Sequence, residues 1–341
     1  MAAVSDLAAF IAGLPKAELH VHQVGSASPR IVAELAARHP GPVPADPDRL
    51  DDFFTFADFA DFVRIYLSVV ELIRTGEDVR LLTYGVAEEM AAQQIRYAEL
   101  TVTPYLSVVG GIAAAEFCEA IEDARIAAER DLGLTLRWIF DIPADFGHEA
   151  AELTTAVALD QAPAGLVGFG LGGSEAGYPR SMFRPYFDRV RAAGLRSVPH
   201  AGETTGPPTI WEALTELGAE RIGHGTSASE DPDLLAYLAE HRIPVEVCPT
   251  SNVCTGVIGD LSKHPVIAMA AAGVPVTINS DDPPMFGTTL NREYAIAADL
   301  LGLDQLGVAD LARAGVDASF APAELKASIR TAIEEHLTAP R

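Results

Sequence analysis

In the stretch Ala17-Glu18-Leu19-His20-Val21-His22, apolar and polar side chains alternate, so it reads as a β-strand. Alternation puts His20 and His22 on one face, where two imidazoles can share a metal ion. Seven further strand-like segments follow: Arg96–Thr103, Leu134–Ile142, Leu166–Gly173, Leu195–Glu203, Arg221–Gly225, Pro244–Asn252 and Pro275–Asp281. Longer Ala/Leu/Glu segments of helical period separate them. Leu82–Ile95 spaces Leu82, Val86 and Met90 one helical turn apart, and Pro232–His241 sets Leu234, Leu235 and Leu238 on one side. Eight strand–helix units in one chain specify an α/β fold, a closed (β/α)8 TIM barrel.

No Gly/Ser/Pro-rich linker divides these units, so residues 1–341 are read as a single barrel domain. A helical insertion occupies about 27–75 after the first strand, and C-terminal helices occupy about 303–338. The last of these, Pro322–Leu337, carries Leu325, Ile329 and Ile333 at helical spacing. The insertion holds Phe53, Phe54, Phe56, Phe59, Phe62 and Tyr66. An amphipathic helix packed on the barrel is the favoured reading of that stripe; a lid over the barrel mouth is compatible with it.

The chain has 24 Lys and Arg against 48 Asp and Glu, a net charge of −24. Such a field repels phosphate backbones and anionic membrane surfaces, which excludes nucleic acid and membrane as main partners. The apolar stretch Leu7–Leu14 precedes the first basic residue, Lys16, so the order of a secretory signal is missing. No run of about 18 apolar residues suggests a transmembrane helix. Three cysteines, Cys118, Cys248 and Cys254, imply no disulfide framework and suit a reducing compartment, so a cytoplasmic location is expected.

The chemistry gathers at strand ends. Val198-Pro199-His200-Ala201-Gly202-Glu203 closes the fifth segment, Arg221-Ile222-Gly223-His224-Gly225 forms the sixth, and Asn279-Ser280-Asp281-Asp282-Pro283 closes the eighth. In a barrel the carboxyl ends of all strands meet at one mouth, so residues far apart in sequence can share a coordination sphere. Three histidines and an aspartate suit a zinc ion that also keeps a water. His39, His148, His241, His264 and His336 fall in predicted helices or loops, where solvated or capping roles are expected.

At this point the chain resembles the adenosine deaminase family of the amidohydrolase superfamily. The matching motifs are Pro15-Lys16-Ala17-Glu18-Leu19-His20-Val21-His22, His200-Ala201-Gly202-Glu203, Arg221-Ile222-Gly223-His224-Gly225, Cys248-Pro249-Thr250-Ser251-Asn252 and Asn279-Ser280-Asp281-Asp282-Pro283. The resemblance implies a metal-dependent aminohydrolase that converts a 6-aminopurine nucleoside and water to the 6-oxopurine and ammonia. It makes His20, His22, His200 and Asp281 the ligands of one Zn2+. Glu203 becomes the general acid that protonates the purine ring, and His224 holds and helps deprotonate the attacking water. Asp281 counts with Glu203 and His224 among the catalytic groups. Asp282 would hydrogen-bond the imidazole ring of the purine, and Gly173 would offer its backbone N–H to the base.

The chemistry requires such a set. Water is a weak nucleophile toward an aromatic carbon, and zinc lowers the pKa of bound water to about 7. A carboxylic acid kept protonated by desolvation delivers the proton, and Glu203 lies three residues after a ligand. Asp281 and Asp282 would face opposite sides of an ideal strand, so the strand must end or kink there, as Pro283 and Pro284 suggest. Cys248 and Cys254 lack the Cys-x-x-Cys spacing of nucleic-acid deaminases and are read as buried and structural. The two-metal amidohydrolases use a lysine on the fourth strand, and Leu166–Gly173 has none, so one metal is expected.

Two departures from the family bear on substrate. Val24 stands where a carboxylate usually meets the ribose 5′-hydroxyl, and the Asp-Leu-Ala-Gly-Asp-Glu motif reads Gly170-Leu171-Gly172-Gly173-Ser174-Glu175. Both changes imply a roomier, less acidic pocket at the 5′ end, with Val24 as part of the substrate site. The expected substrate is a 5′-modified adenosine such as 6-aminodeoxyfutalosine, a menaquinone-pathway intermediate with a benzoate at that end. Arg180 and Arg184 are weak candidates for its carboxylate partner, with an ordinary surface role favoured. The alternative substrates are adenosine or 2′-deoxyadenosine, then adenine or an N6-substituted adenine; a non-catalytic metal-binding ligand sensor is the alternative of another class.

Overall fold

A computed structural model describes residues 2–57 and 59–339. Eight parallel strands run in chain order: β1 (Lys16–His22), β2 (Ile95–Val102), β3 (Thr135–Pro143), β4 (Leu166–Gly172), β5 (Arg196–Ala201), β6 (Ile222–His224), β7 (Val245–Val247) and β8 (Val276–Ile278). Each pairs with the next, and helices surround them, so the expected TIM barrel is present. Outward-facing residues such as Leu19, Val21, Leu100, Phe140 and Phe169 are buried beneath the helices. Inward-facing positions are unusually polar, which reserves the barrel interior for chemistry.

Part of that interior is ionic. Arg221 is buried, with Nε 2.6 Å from Glu246, Nη2 hydrogen-bonded to Glu99 and Nη1 3.1 Å from the Ala318 carbonyl. Its guanidinium lies 4.0 Å from the centre of the Phe320 ring. Glu99 also accepts from Tyr97 Oη at 2.8 Å and Phe320 N–H at 2.6 Å.

The seam between β8 and β1 is built differently from the other joints. A single bridge, Val21 with Asp281, replaces a ladder. His22 N–H donates to the Asp281 carbonyl at 2.9 Å, and Asp281 N–H to the His20 carbonyl at 3.1 Å. Below the bridge, the Asn279 side-chain oxygen accepts from the Leu19 and His20 amides at 3.0 and 3.2 Å.

Boundaries differ from expectation where a proline or cap intervenes. The seventh strand stops at Val247 rather than Asn252, because Pro249 starts the helix Pro249–Cys254; its fixed φ suits the first helical turn. The helix expected at Leu82–Ile95 spans Gly76–Ala92, entered through a reciprocal cap between Thr75 and Asp78. The closing helix spans Ala323–Thr338 and buries Ile329 and Ile333. The helix Ala2–Gly13 precedes β1, a region sequence had marked only as apolar.

The insertion aromatics serve both readings. Phe54 and Phe62 are buried, and the helix Phe59–Val70 leans over the barrel mouth, where Phe62 meets Phe286 at 4.9 Å between ring centres. The side chain of Phe59 lies outside the described residues. Among them, no helix is long and apolar enough to cross a membrane. Cys118 and Cys248 are buried and Cys254 half-buried, all three as free thiols.

Candidate active site

β1 delivers His20 and His22 to the barrel mouth, β5 delivers His200, and the chain just past β8 delivers Asp281. His22 Nε2 stands 3.2 Å from Asp281 Oδ1 and 3.3 Å from His200 Nε2. His20 Nε2 is 3.6 Å from the same carboxylate oxygen. It is buried and has no hydrogen-bond partner, although Glu246 holds the other ring nitrogen at 2.8 Å. A neutral imidazole that donates through Nδ1 presents a lone pair at Nε2, which is how a metal-binding histidine is prepared. Three inward nitrogens and one carboxylate oxygen would therefore suit a divalent cation such as zinc, which can take a water as a fifth ligand.

Cys248 also comes within ligand range of His20, His224 and Asp281. Burial pushes its thiol well above the ordinary value, and Sγ sits 3.8 Å from the Glu246 carbonyl, so it packs as a thiol.

The backbone is bent to bring these groups together. His224 and Asp281 adopt φ of 59° and 66°, left-handed conformations that non-glycine residues rarely take. At Asp281 this bend lets two successive carboxylates serve one cavity: Asp281 faces the histidines, and Asp282 lines the wall. The Asp282 carboxylate packs so closely on Gly25 that a Cβ there would collide with Oδ1. Asp282 Oδ1 has no hydrogen-bond partner, and burial followed by the charge of Asp281 raises its pKa to about 7.

Glu203 lines the same cavity with Oε2 3.7 Å from His224 Nε2. Burial first, then the charges of Asp281 and Glu175, push its carboxyl up to about 8. A carboxyl so placed remains a proton donor at neutral pH. Burial, reinforced by the neighbouring His20, lowers His224 to about 4, so its ring is neutral.

The cavity has a volume of about 320 Å³. Its floor is the histidine cluster, and Gly173 contributes its backbone with φ of 80°. Its outer wall is apolar, formed by Phe62, Val63, Leu67, Leu106 and Phe286, with Tyr66 beside them. Val24 does not line it; the side chain is half-buried and packs on the core. Arg180 and Arg184 do not line it either. Arg180 is fully buried 3.4 Å from Glu175, and exposed Arg184 pairs with Glu216 at 3.1 Å.

Beside Gly170, one of the two positions where the family motif's acids are missing, a carboxylate comes from the preceding strand, β3. A Cβ on Gly170 would lie 2.7 Å from Asp141 Oδ1, and one on Gly172 would lie 2.5 Å from Oδ2. Asp141 thus occupies the space over the β4 glycines; it lines the cavity, and its Oδ1 has no partner. Sequence reasoning missed it, though an aspartate inside the apolar β3 run Trp138-Ile139-Phe140-Asp141-Ile142 was a usable signal.

Supporting groups were missed as well. Glu175 accepts from the amides of Glu203, Thr204 and Thr205 at 3.3, 2.9 and 2.8 Å, which fixes the turn that bears Glu203. Ser251 Oγ donates to Asp281 Oδ2 at 2.7 Å. Of the five histidines given peripheral roles, His39, His148, His241 and His336 contact Asp78, Tyr186, the Tyr237 carbonyl and the Phe10 carbonyl. His264 differs: it is buried, against expectation, and bonded to Asn252.

The family model described as adenosine deaminase matches residues 15–336. An aminodeoxyfutalosine deaminase of Streptomyces avermitilis is 65% identical over 337 residues, covering 98% of this chain and 94% of that protein. Among solved structures, an adenine deaminase from Arthrobacter aurescens matches with a TM-score of 0.90 at 31% identity, over 96% of this chain and 100% of its own. An amidohydrolase from Burkholderia ambifaria, solved with bound zinc, matches with a TM-score of 0.89 at 25% identity, over 97% of this chain and 92% of its own.

Proposed function

The chain belongs to the adenosine deaminase family and is a hydrolytic deaminase of 6-aminopurines, and from that premise we propose that its substrate is 6-aminodeoxyfutalosine. The observation that carries this reading is the 65% identity, over nearly the whole of both chains, to a deaminase named for that compound. The apolar outer wall supports it, because Phe62, Val63, Leu67 and Phe286 offer an aryl group a dry surface. Room at the 5′ end is thereby assigned to the Phe59–Val70 helix rather than to Val24.

The family is metal-dependent, and we assign the ion as one Zn2+ held by His20, His22, His200 and Asp281. When bound, zinc supplies the Lewis acidity that makes water a nucleophile near neutral pH. Glu203, protonated by its environment, hands a proton to the ring nitrogen beside the amino-bearing carbon. His224, whose Nε2 lies 3.7 Å from Glu203 Oε2, holds the attacking water. Asp282 and the Gly173 N–H fix the purine ring. With the base so held, the sugar projects toward Asp141, Tyr66 and the apolar wall. Glu246 and Ser251 keep His20 and Asp281 in register. A cytoplasmic setting is part of the same proposal, supported by three cysteines that stand as free thiols.

Ammonia release from a panel of 6-aminodeoxyfutalosine, adenosine and adenine tests the proposal. The 5′-aryl nucleoside is expected to show the highest kcat/KM; equal or better turnover of adenosine would overturn the specificity.

A further inference from the structure

The motif Cys248-Pro249-Thr250-Ser251-Asn252 and the buried His264 have a joint role. Val266 N–H donates to His264 Nδ1 at 3.1 Å. A ring nitrogen that accepts carries no hydrogen, so the neutral His264 ring bears its hydrogen on Nε2. Burial lowers this imidazole to about 4, consistent with a neutral ring. Its Nε2 lies 3.2 Å from Asn252 Oδ1 and donates to it. That contact fixes which way the amide points, and the Asn252 NH2 group, 3.2 Å from His224 Nδ1, must donate to that nitrogen. His264, Asn252 and His224 are all essentially inaccessible to solvent, so no water competes for these bonds.

We infer that Asn252 and His264 are positioning residues that hold His224 as the tautomer with hydrogen on Nε2, so that His224 meets the attacking oxygen as a hydrogen-bond donor. The chain of donors starts at a backbone amide, which cannot reverse, so every later bond in it has one direction. The lone pair that His224 would need to remove a proton from water sits on Nδ1, buried and engaged by Asn252. Its Nε2–H faces the cavity, 3.7 Å from Glu203 Oε2 and 4.0 Å from Asp281 Oδ2, where the reacting oxygen must pass. This departs from the deprotonating role that the family resemblance suggested, while resting on the proposal that His224 touches the attacking water.

The test is long-range proton–nitrogen NMR on zinc-loaded enzyme labelled with 15N-histidine, with His224 assigned by its disappearance in His224→Gln. The expected spectrum shows a neutral His224 with a protonated Nε2 and a bare Nδ1; the opposite tautomer overturns the relay. In Asn252→Asp the carboxylate can only accept, so the hydrogen is expected to move to Nδ1. Turnover is then expected to fall about 100- to 1,000-fold, the loss typical of one donor aimed at developing charge, with zinc content unchanged. A flipped tautomer with full turnover overturns the donor role. If Asn252→Asp fails to fold, the wild-type spectrum alone decides the relay. The expected tautomer in an enzyme that deaminates no 6-aminopurine nucleoside would refute the proposed function and leave the relay standing.

Discussion

Replacing Arg221 with methionine keeps most of the side-chain volume and removes the charge that neutralises two carboxylates inside the barrel. Arg221 is the ion-pair partner of both Glu99 and Glu246, at a depth where its own side chain is 1% exposed. Breaking a buried pair by deleting one partner costs about 3–5 kcal/mol, and the lost bond to the Ala318 carbonyl adds about 1 kcal/mol. The bonds Glu99 keeps to Tyr97 and Phe320, and Glu246 to His20, offset part of this, so a net loss of about 4 kcal/mol is expected. At about 2–4 °C per kcal/mol for a chain of this order, Tm should fall by roughly 8–16 °C. The pH dependence has a definite sign. Burial pushes Glu246 up, but Arg221 and the His20 hydrogen bond outweigh it and hold the carboxyl below its ordinary 4.5. A depressed carboxyl stabilises the folded state above its unfolded pKa and loses that contribution on acidification. Removing Arg221 removes that contribution, so the gap between wild type and Arg221→Met should be widest at neutral pH and narrow toward and below 4.5. Thermal melts of zinc-loaded protein across that range provide the assay. A loss under about 1 kcal/mol at neutral pH, or a gap that widens in acid, would refute the claim that the triad is held by charge.

Other outcomes follow from the site. Glu203→Gln should lower kcat by about 10²–10⁴-fold with zinc content intact, and unchanged turnover would remove Glu203 from proton delivery. Because the Glu203 carboxyl titrates near 8 and must be protonated to act, kcat should hold below that pH and fall above it; a flat profile to pH 10 in a stable enzyme contradicts the role. Asp141→Asn should raise KM for a ribonucleoside by about tenfold, through a weaker bond to a sugar hydroxyl, and should leave a 3′-deoxy analogue less affected; equal effects on both would exclude that contact. Chelation should abolish turnover and zinc should restore it, read as ammonia release on one sample before and after.

Sequence carried the fold because each strand announced itself by β-branched or alternating residues between helical segments, and parallel order leaves few topologies. It brought His20, His22, His200 and Asp281 to one place because each lies near or just past the carboxyl end of a strand, where a barrel must converge. It missed strand lengths in β6–β8, where only three residues pair and the loop begins at once. It missed Glu246, Glu175, Asn252 and His264 because their roles depend on hydrogen-bond partners dozens or hundreds of positions away, as in the 226-residue separation of His20 and Glu246. It misplaced Val24 and Arg180 because position after a motif does not report side-chain direction once a strand has ended. The β4 glycines show the same limit: only three-dimensional adjacency reveals that the Asp141 carboxylate on β3 packs over Gly170 and Gly172.

The seam between β8 and β1 has a mechanical consequence. The other joints are ladders of two to six residue pairs, but here one bridge, the Asn279 amide and the Ser280–Glu18 hydrogen bonds hold the hoop together. His20 and His22 stand on one bank of that gap and Asp281 on the other, so an ion gripped by all three works as a rivet through the joint. Loading the metal should therefore slow amide hydrogen exchange at Val21, His22 and Asp281 far more than at the β2–β3 stitch.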